Sequence, residues 1–170
     1  MTNQSLPTTT SDAFIAAILD TLRAHFTGQE IQIGYGESLD EYGNPMPFNP
    51  PWLLLQVAPL RANTDGIQRP GLTAMSYRCS LQCALSTRTE ALQIALTAFA
   101  THVLAFVSAW ESPPVRDRDG KPVPGQRWGL GRAVEPATNF SSTKDTASVP
   151  QGHDAFMIEW DQIVYIDPVA

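Results

Sequence analysis

The sequence predicts an α+β domain: a mostly antiparallel sheet with two helices packed on one face, plus an extended hairpin arm. Three observations predict it. Segments 11–26 and 89–110 place apolar residues at helical spacing. Segment 75–85 alternates apolar and polar residues with period two. Further apolar runs at 31–35, 52–57 and 156–166 are separated by Pro- and Gly-rich stretches. The order read along the chain is α-β-β-β-α-β-β, which fits two layers around one core.

Residues 1–10 are polar and read as a disordered tail, with no basic start and apolar run of a signal peptide. The remainder, 11–170, is long enough for a single domain with a real core. Ser11 is placed to cap the first helix, and Asp12 favours its positive end. Phe14, Ile15, Ile18, Leu19, Leu22 and Phe26 form its apolar face, and Gly28 stops it. A short strand at 31–35 precedes a long loop, 36–51, whose five residues Gly43, Pro45, Pro47, Pro50 and Pro51 forbid regular structure. A loop of that length in a compact domain is often functional.

The run 52–57 is a strongly apolar strand, with Pro59 ending its pairing or beginning an edge. The polar stretch 61–72 reads as a hairpin connection. In 75–85, Met75, Tyr77, Cys79, Leu81, Cys83 and Leu85 share a buried face, while Ser76, Arg78, Ser80 and Gln82 share a solvated or partner-facing one. Thr87 and Glu90 have the spacing of a capping box ahead of the second helix. Its stripe is Leu92, Leu96, Phe99, Val103, Phe106 and Trp110. Gln93, Thr97, Thr101 and His102 interrupt it, as suits a core helix rather than a membrane span. Pro113 and Pro114 end it, and Asp119-Gly120 marks the turn of an exposed arm, 113–132. Residues 127–133 read as the returning strand, 137–152 as a Ser/Thr/Pro-rich loop, and 156–166 as a last strand whose apolar face is interrupted by Gln162.

Motifs for chemistry are absent: no phosphate-binding GxxxxGK[ST] loop, no HExxH, no GxSxG, and no GxGxxG that opens a helix. Cys79 and Cys83 lie ~13 Å apart along a strand, so they neither bridge each other nor share a metal. His153-Asp154 could be half of an acid/base pair, but a solvated turn explains it more simply. His102 could be imagined beside a distant Cys as a nucleophilic pair, but a structural Cys is the simpler reading. Glu159 and Asp161 share a strand face, as a carboxylate pair or as a solvated or interfacial surface. No cofactor or metal is expected, and the residues give no reason to expect an enzyme. An enzyme using His153, Asp154 and Glu159 remains the alternative.

Charge is unevenly distributed. The chain is acidic overall, net −6 with a pI near 4.9, a poor basis for nonspecific nucleic-acid binding. Yet residues 61–132 carry nine bases against five acids, while the flanking stretches each carry six acids against one base. Arg116, Arg118, Lys121, Arg127 and Arg132 crowd the arm; Glu37, Asp40 and Glu41 crowd the first long loop. An acidic loop and a basic arm suit docking of one copy on the next, which closes into a ring if the rotation allows. The charged fraction of only 16% also suits burial against partners.

This organisation resembles the tail terminator proteins of long-tailed phages, the lambda gpU-like group. The resemblance rests on the capped helix 11–26, the strands 52–57 and 75–85, the long helix 89–110, the arm 115–132, and the closing strand Phe156-Met157-Ile158-Glu159-Trp160. It implies a hexameric ring at the head-proximal end of the virion tail, assembled in the host cytoplasm. The ring would cap the tube, stop polymerisation of the major tail tube protein and meet a head-completion or neck protein, with DNA passing near its lumen. It implies no membrane partner. Arg116, Arg118 and Lys121 would make intersubunit or DNA-facing contacts, with Glu37, Asp40 and Glu41 as counter-charges. Another head–tail connector or neck ring is the nearest competing reading.

Overall fold

The structure, a computed structural model, describes residues 7–36, 42, 51–63, 73–86, 88–111, 118–120, 127–145, 149 and 152–167. Helix α1 is Ser11–His25 and helix α2 is Glu90–Glu111. The strands are β1 Gln32–Tyr35, β2 Trp52–Asn63, β3 Thr73–Ser86, β4 Thr138–Asp145 and β5 His153–Ile166. They form one five-stranded sheet in the order β1-β2-β3-β5-β4.

Side-chain alternation on the central strands builds the core. Leu53 and Leu55 of β2 stand opposite Cys83 and Leu81 of β3, which in turn face Phe156 and Ile158 of β5. On that face Tyr77, Cys79, Leu81, Cys83, Ile158, Trp160 and Val164 are buried in one cluster with Phe14, Ile18 and Leu22 of α1 and Val103 and Val107 of α2. Both helices therefore cover the same face of the sheet, as the alternation of 75–85 predicts.

The β1–β2 pair is parallel; every other pairing is antiparallel. A parallel neighbour needs a connection of a dozen or more residues, and 36–51 supplies it. The length of that loop thus has a topological reason. Strand β2 continues past Pro59, so of the two expected alternatives the pairing does not end there, and its register is irregular between Pro59 and Arg61. Beyond Leu55 it has no β1 partner, so it is an edge there and tolerates a residue without an N–H. The Tyr35 hydroxyl occupies the next rung, donating to Val57 O at 3.2 Å and accepting from Val57 N at 3.3 Å. Residues 64–72, the expected hairpin connection, lie outside the described residues.

The helix caps differ from expectation by one or two positions. Thr10, not Ser11, caps α1: its hydroxyl accepts from Ala13 N at 3.2 Å. The segment expected as a free tail is tied down at its inner end, where Thr9 N donates to Tyr165 O at 2.9 Å and bridges Ile166. Thr89 caps α2, accepting from Leu92 N at 3.2 Å; Thr87 lies outside the described residues. The buried stripe of α2 is Leu96, Ala100, Val103 and Val107. Phe99 and Phe106 flank it half-buried, Leu92 is exposed, and the Trp110 side chain lies outside the described residues.

Two expectations in the second half are overturned. Residues 127–133 form no strand but two short 3-10 turns, Arg127–Gly129 (η1) and Gly131–Ala133 (η2). Trp128, Gly129 and Gly131 adopt φ of 58°, 79° and 58°, which an extended strand cannot contain. The strand lies instead at Thr138–Asp145, inside the stretch read as a loop. It is the edge strand β4, with only Phe140 and Asp145 half-buried, so burial imposes no apolar alternation on it.

Candidate functional site

Of the six charged residues singled out in the sequence, Glu37, Asp40, Glu41, Arg116 and Lys121 lie outside the described residues. Arg118 is exposed in a turn with Asp119 and Gly120, whose φ of 75° matches the expected Asp-Gly turn.

The described residues present two broad surfaces. The first is the sheet face opposite the helices. At one end Trp52, Ala84 and Ala155 pack with Leu54 and Val149 in a small apolar cluster. The Trp52 indole N–H donates to Gln82 Oε1 at 3.0 Å, and the His153 ring lies over Trp52 at 6.2 Å. Towards the middle, Arg78 Nε donates to Asp161 Oδ1 at 3.1 Å, and Asn139 Nδ2 donates to Asp161 Oδ2 at 3.1 Å. Burial pulls the Asp161 carboxyl upward, but these two hydrogen bonds and the Arg78 charge outweigh it and hold it below the ordinary carboxylate value. Glu159 stands on the same face, opposite Ser80.

The second surface is the outer side of α2. Ala91, Ile94, Ala98, Thr101 and Ala105 are exposed there, Ile94 to 65%, and no acidic or basic residue other than His102 falls between Glu90 and Glu111. Over Glu90–Ser108 the mean hydropathy is 1.7, enough by composition and length to cross a membrane; the opposite side of the helix packs on β3 and β5. An uncharged helical surface of this kind suits burial against another chain.

Between α1 and α2 lies an open trough of about 520 Å³, lined by Ala17, Asp20, Thr21, Ala24, His25, Phe106 and Trp128. Two polar clusters bound it. His25 Nε2 and His102 Nε2 are 3.0 Å apart, and the His25 ring stacks on Phe106 with centroids 3.7 Å apart. Beneath, Gln162 is 1% exposed. Its Oε1 accepts from the Trp128 indole at 3.0 Å and the Trp160 indole at 3.2 Å, and its Nε2 donates to Glu135 O at 3.0 Å. Glu135 also receives the Tyr165 hydroxyl.

The candidate chemistry named from the sequence does not assemble. His153 opens β5 half-buried rather than sitting in a solvated turn. Asp154, its neighbour in the strand, points to the opposite face and lies 3.9 Å from Lys144. Asp161 is engaged by Arg78 and Asn139. His102 meets His25 rather than a thiol, and burial pushes the Cys83 thiol far above its usual range, away from nucleophilic or metal-binding use. Among the described residues no group of three or more His, Cys, Asp or Glu could hold a metal ion.

Sequence reasoning registered Gln162 only as an interruption. It could not pair His25 with His102, which are 77 residues apart on different helices. The fold defines an α+β domain in which, among the described residues, both helices lie on one face of the sheet. Neither the models of known protein families nor the curated protein sequences include a match to this chain.

Proposed function

We propose that this chain is a structural assembly protein, a tail terminator that forms a ring on the end of a phage tail tube, stops its growth and joins it to the head. The observation that carries the reading is the exposed, uncharged side of α2. Helix α2 offers an exposed side without acidic or basic groups apart from His102, and among the described residues no helix lies over the opposite sheet face, where Arg78 is exposed but Trp52, Ala74, Gln82, Ala84 and Ala155 are buried. A subunit that contacts neighbours sideways and partners above and below uses a surface of this kind.

The order of elements supports the reading, since it is the order on which the resemblance to tail terminators rests. The charge layout supports it too: basic Arg116, Arg118 and Lys121 on the arm of one subunit would dock on acidic Glu37, Asp40 and Glu41 of the next. The action would be binding, not chemistry. One ring face would meet the last layer of tube protein, and the other would lack the surface that recruits a further layer.

The direct test is native mass by light scattering at low and moderate salt. A hexamer that loosens as salt screens the arm-to-loop contacts supports the proposal. A monomer that also fails to bind purified tail tubes would overturn it. Binding to a portal or adaptor ring instead of tubes would move the chain to another position in the neck.

A further inference from the structure

The geometry of the two imidazoles at the end of α1 points to a device separate from any assembly role. We propose that His25 and His102 form an acid-released latch: one Nε2–H···Nε2 hydrogen bond holds the last turn of α1 on α2, and arrival of a second proton opens it.

The rings meet head-on. Their centroids are 5.3 Å apart and their Nε2 atoms 3.0 Å apart, a difference of two ring radii, so both nitrogens lie on the line joining the ring centres. The ring planes differ by 19°. This is the geometry of one proton shared between two lone pairs. It does not suit a metal: the midpoint lies half of 3.0 Å from each nitrogen, well inside the ~2.0–2.1 Å of a zinc–nitrogen bond.

The number of protons on the two facing nitrogens therefore decides whether the bond exists. With none or one extra proton, one Nε2 still donates and the other accepts. With two, both nitrogens carry hydrogen, and two N–H groups and two positive charges face each other. Among the described residues, Asp20 is the one carboxylate that lines the trough beside the pair. Among the described residues the rings against the pair are aromatic: Phe106 stacks on His25, and Phe26 meets both histidines edge-on. From the η1 turn, Trp128 shares the trough. On α1, Asp20 lines the trough but pairs with Arg23 at 3.9 Å, and Arg23 also donates to Ile33 O of β1. The negative end of α1 favours a single charge on His25. Burial and then the neighbouring His102 hold His25 below its ordinary value, in keeping with a resisted second proton.

The sign follows. A histidine with a lowered folded pKa stabilises fully above the unfolded value of 6.5 and loses that contribution as pH falls through the folded value. Opening frees the Phe26 N–H→Leu22 O bond at the helix end and widens the trough beside Trp128.

The test uses the whole chain with 15N-labelled histidine. Imidazole nitrogen spectra followed from about pH 8 to pH 4.5 should display two coupled steps for His25 and His102, with the Nε2–Nε2 coupling lost only in the second. Amide protection factors at residues 22–26 should fall by up to about tenfold per pH unit between the unfolded value of 6.5 and that second step, and level off below it. H102Q keeps an acceptor but cannot take the second proton, so its protection should stay level with pH; H25Q is the reciprocal variant. Independent single titrations of the two rings would overturn the latch. So would protection that falls equally in wild type and H102Q.

Discussion

Gln162 is the residue on which the lower core turns. A glutamine between Trp160 and Val164 on a core-facing strand would be costly if its amide went unpaired. Here one oxygen takes two indole N–H groups and the nitrogen reaches a backbone carbonyl. Through Trp128 it also fastens η1 to the sheet. Gln162→Leu keeps the volume and orphans both indoles, so urea unfolding should register a loss of about 2–4 kcal/mol. Trp128→Phe removes one of those donors, so the double variant should lose less than the sum of the singles. Asp161 makes a second prediction at this scale. Its lowered pKa contributes stability that is present above the unfolded value of 3.8 and lost as pH falls through the folded one. Because Arg78 and Asp161 are both partly exposed, the contribution is small and salt-sensitive. Asp161→Asn should flatten that part of the acid limb in a pH series of thermal melts.

At the scale of elements, α2 separates what packs from what does not. Leu96 is 2% exposed and Ile94 65% exposed, two positions apart on one helix. Leu96→Ala should cost about 2–4 kcal/mol, and Ile94→Ala should stay within about 0.5 kcal/mol, both read by chemical denaturation. Equal losses would place the helix in a different rotation. The periodicity of 89–110 predicted the helix well but not its facing, because apolar residues surround it: Leu92, Ile94, Phe99 and Phe106 satisfy a helical repeat as readily as Ala100 and Val107. The same ambiguity did not arise in 75–85, where the polar members Ser76, Arg78, Ser80 and Gln82 fix the register of faces. Strand β4 was illegible for the opposite reason. An edge strand with one neighbour and little burial carries no apolar alternation, so Thr138–Asp145 looks like the loops beside it. The turns at 127–133 rest on a positive φ at Trp128 that no pattern in the residues announces, and the indole there donates to the distant Gln162. Of the site, the charged clusters are legible as composition, whereas the open sheet face and the His25–His102 contact exist only once strands and helices are assembled.

For the whole molecule, the ring we propose closes either through charge or through the uncharged side of α2, and the two make different predictions. If the arm docks on the loop of the next copy, R116E/R118E/K121E should dissociate the ring, and adding E37K/D40K/E41K in the same chain should restore it, since the reversed charges again oppose each other. Contacts of exposed groups are screened over ~8–10 Å at ordinary ionic strength, so the wild-type ring should loosen with salt. If α2 is the seam, those reversals change little. A charge at its centre, as in Ile94→Asp, should then break the ring at every salt concentration while the isolated subunit keeps its unfolding midpoint, because Ile94 already faces solvent. Light-scattering mass for the three variants decides between them. Loss of the ring in the triple variant, with recovery in the sextuple, places the contact at the arm and loop. Loss only in Ile94→Asp places it on α2 and leaves the arm free to meet the tube.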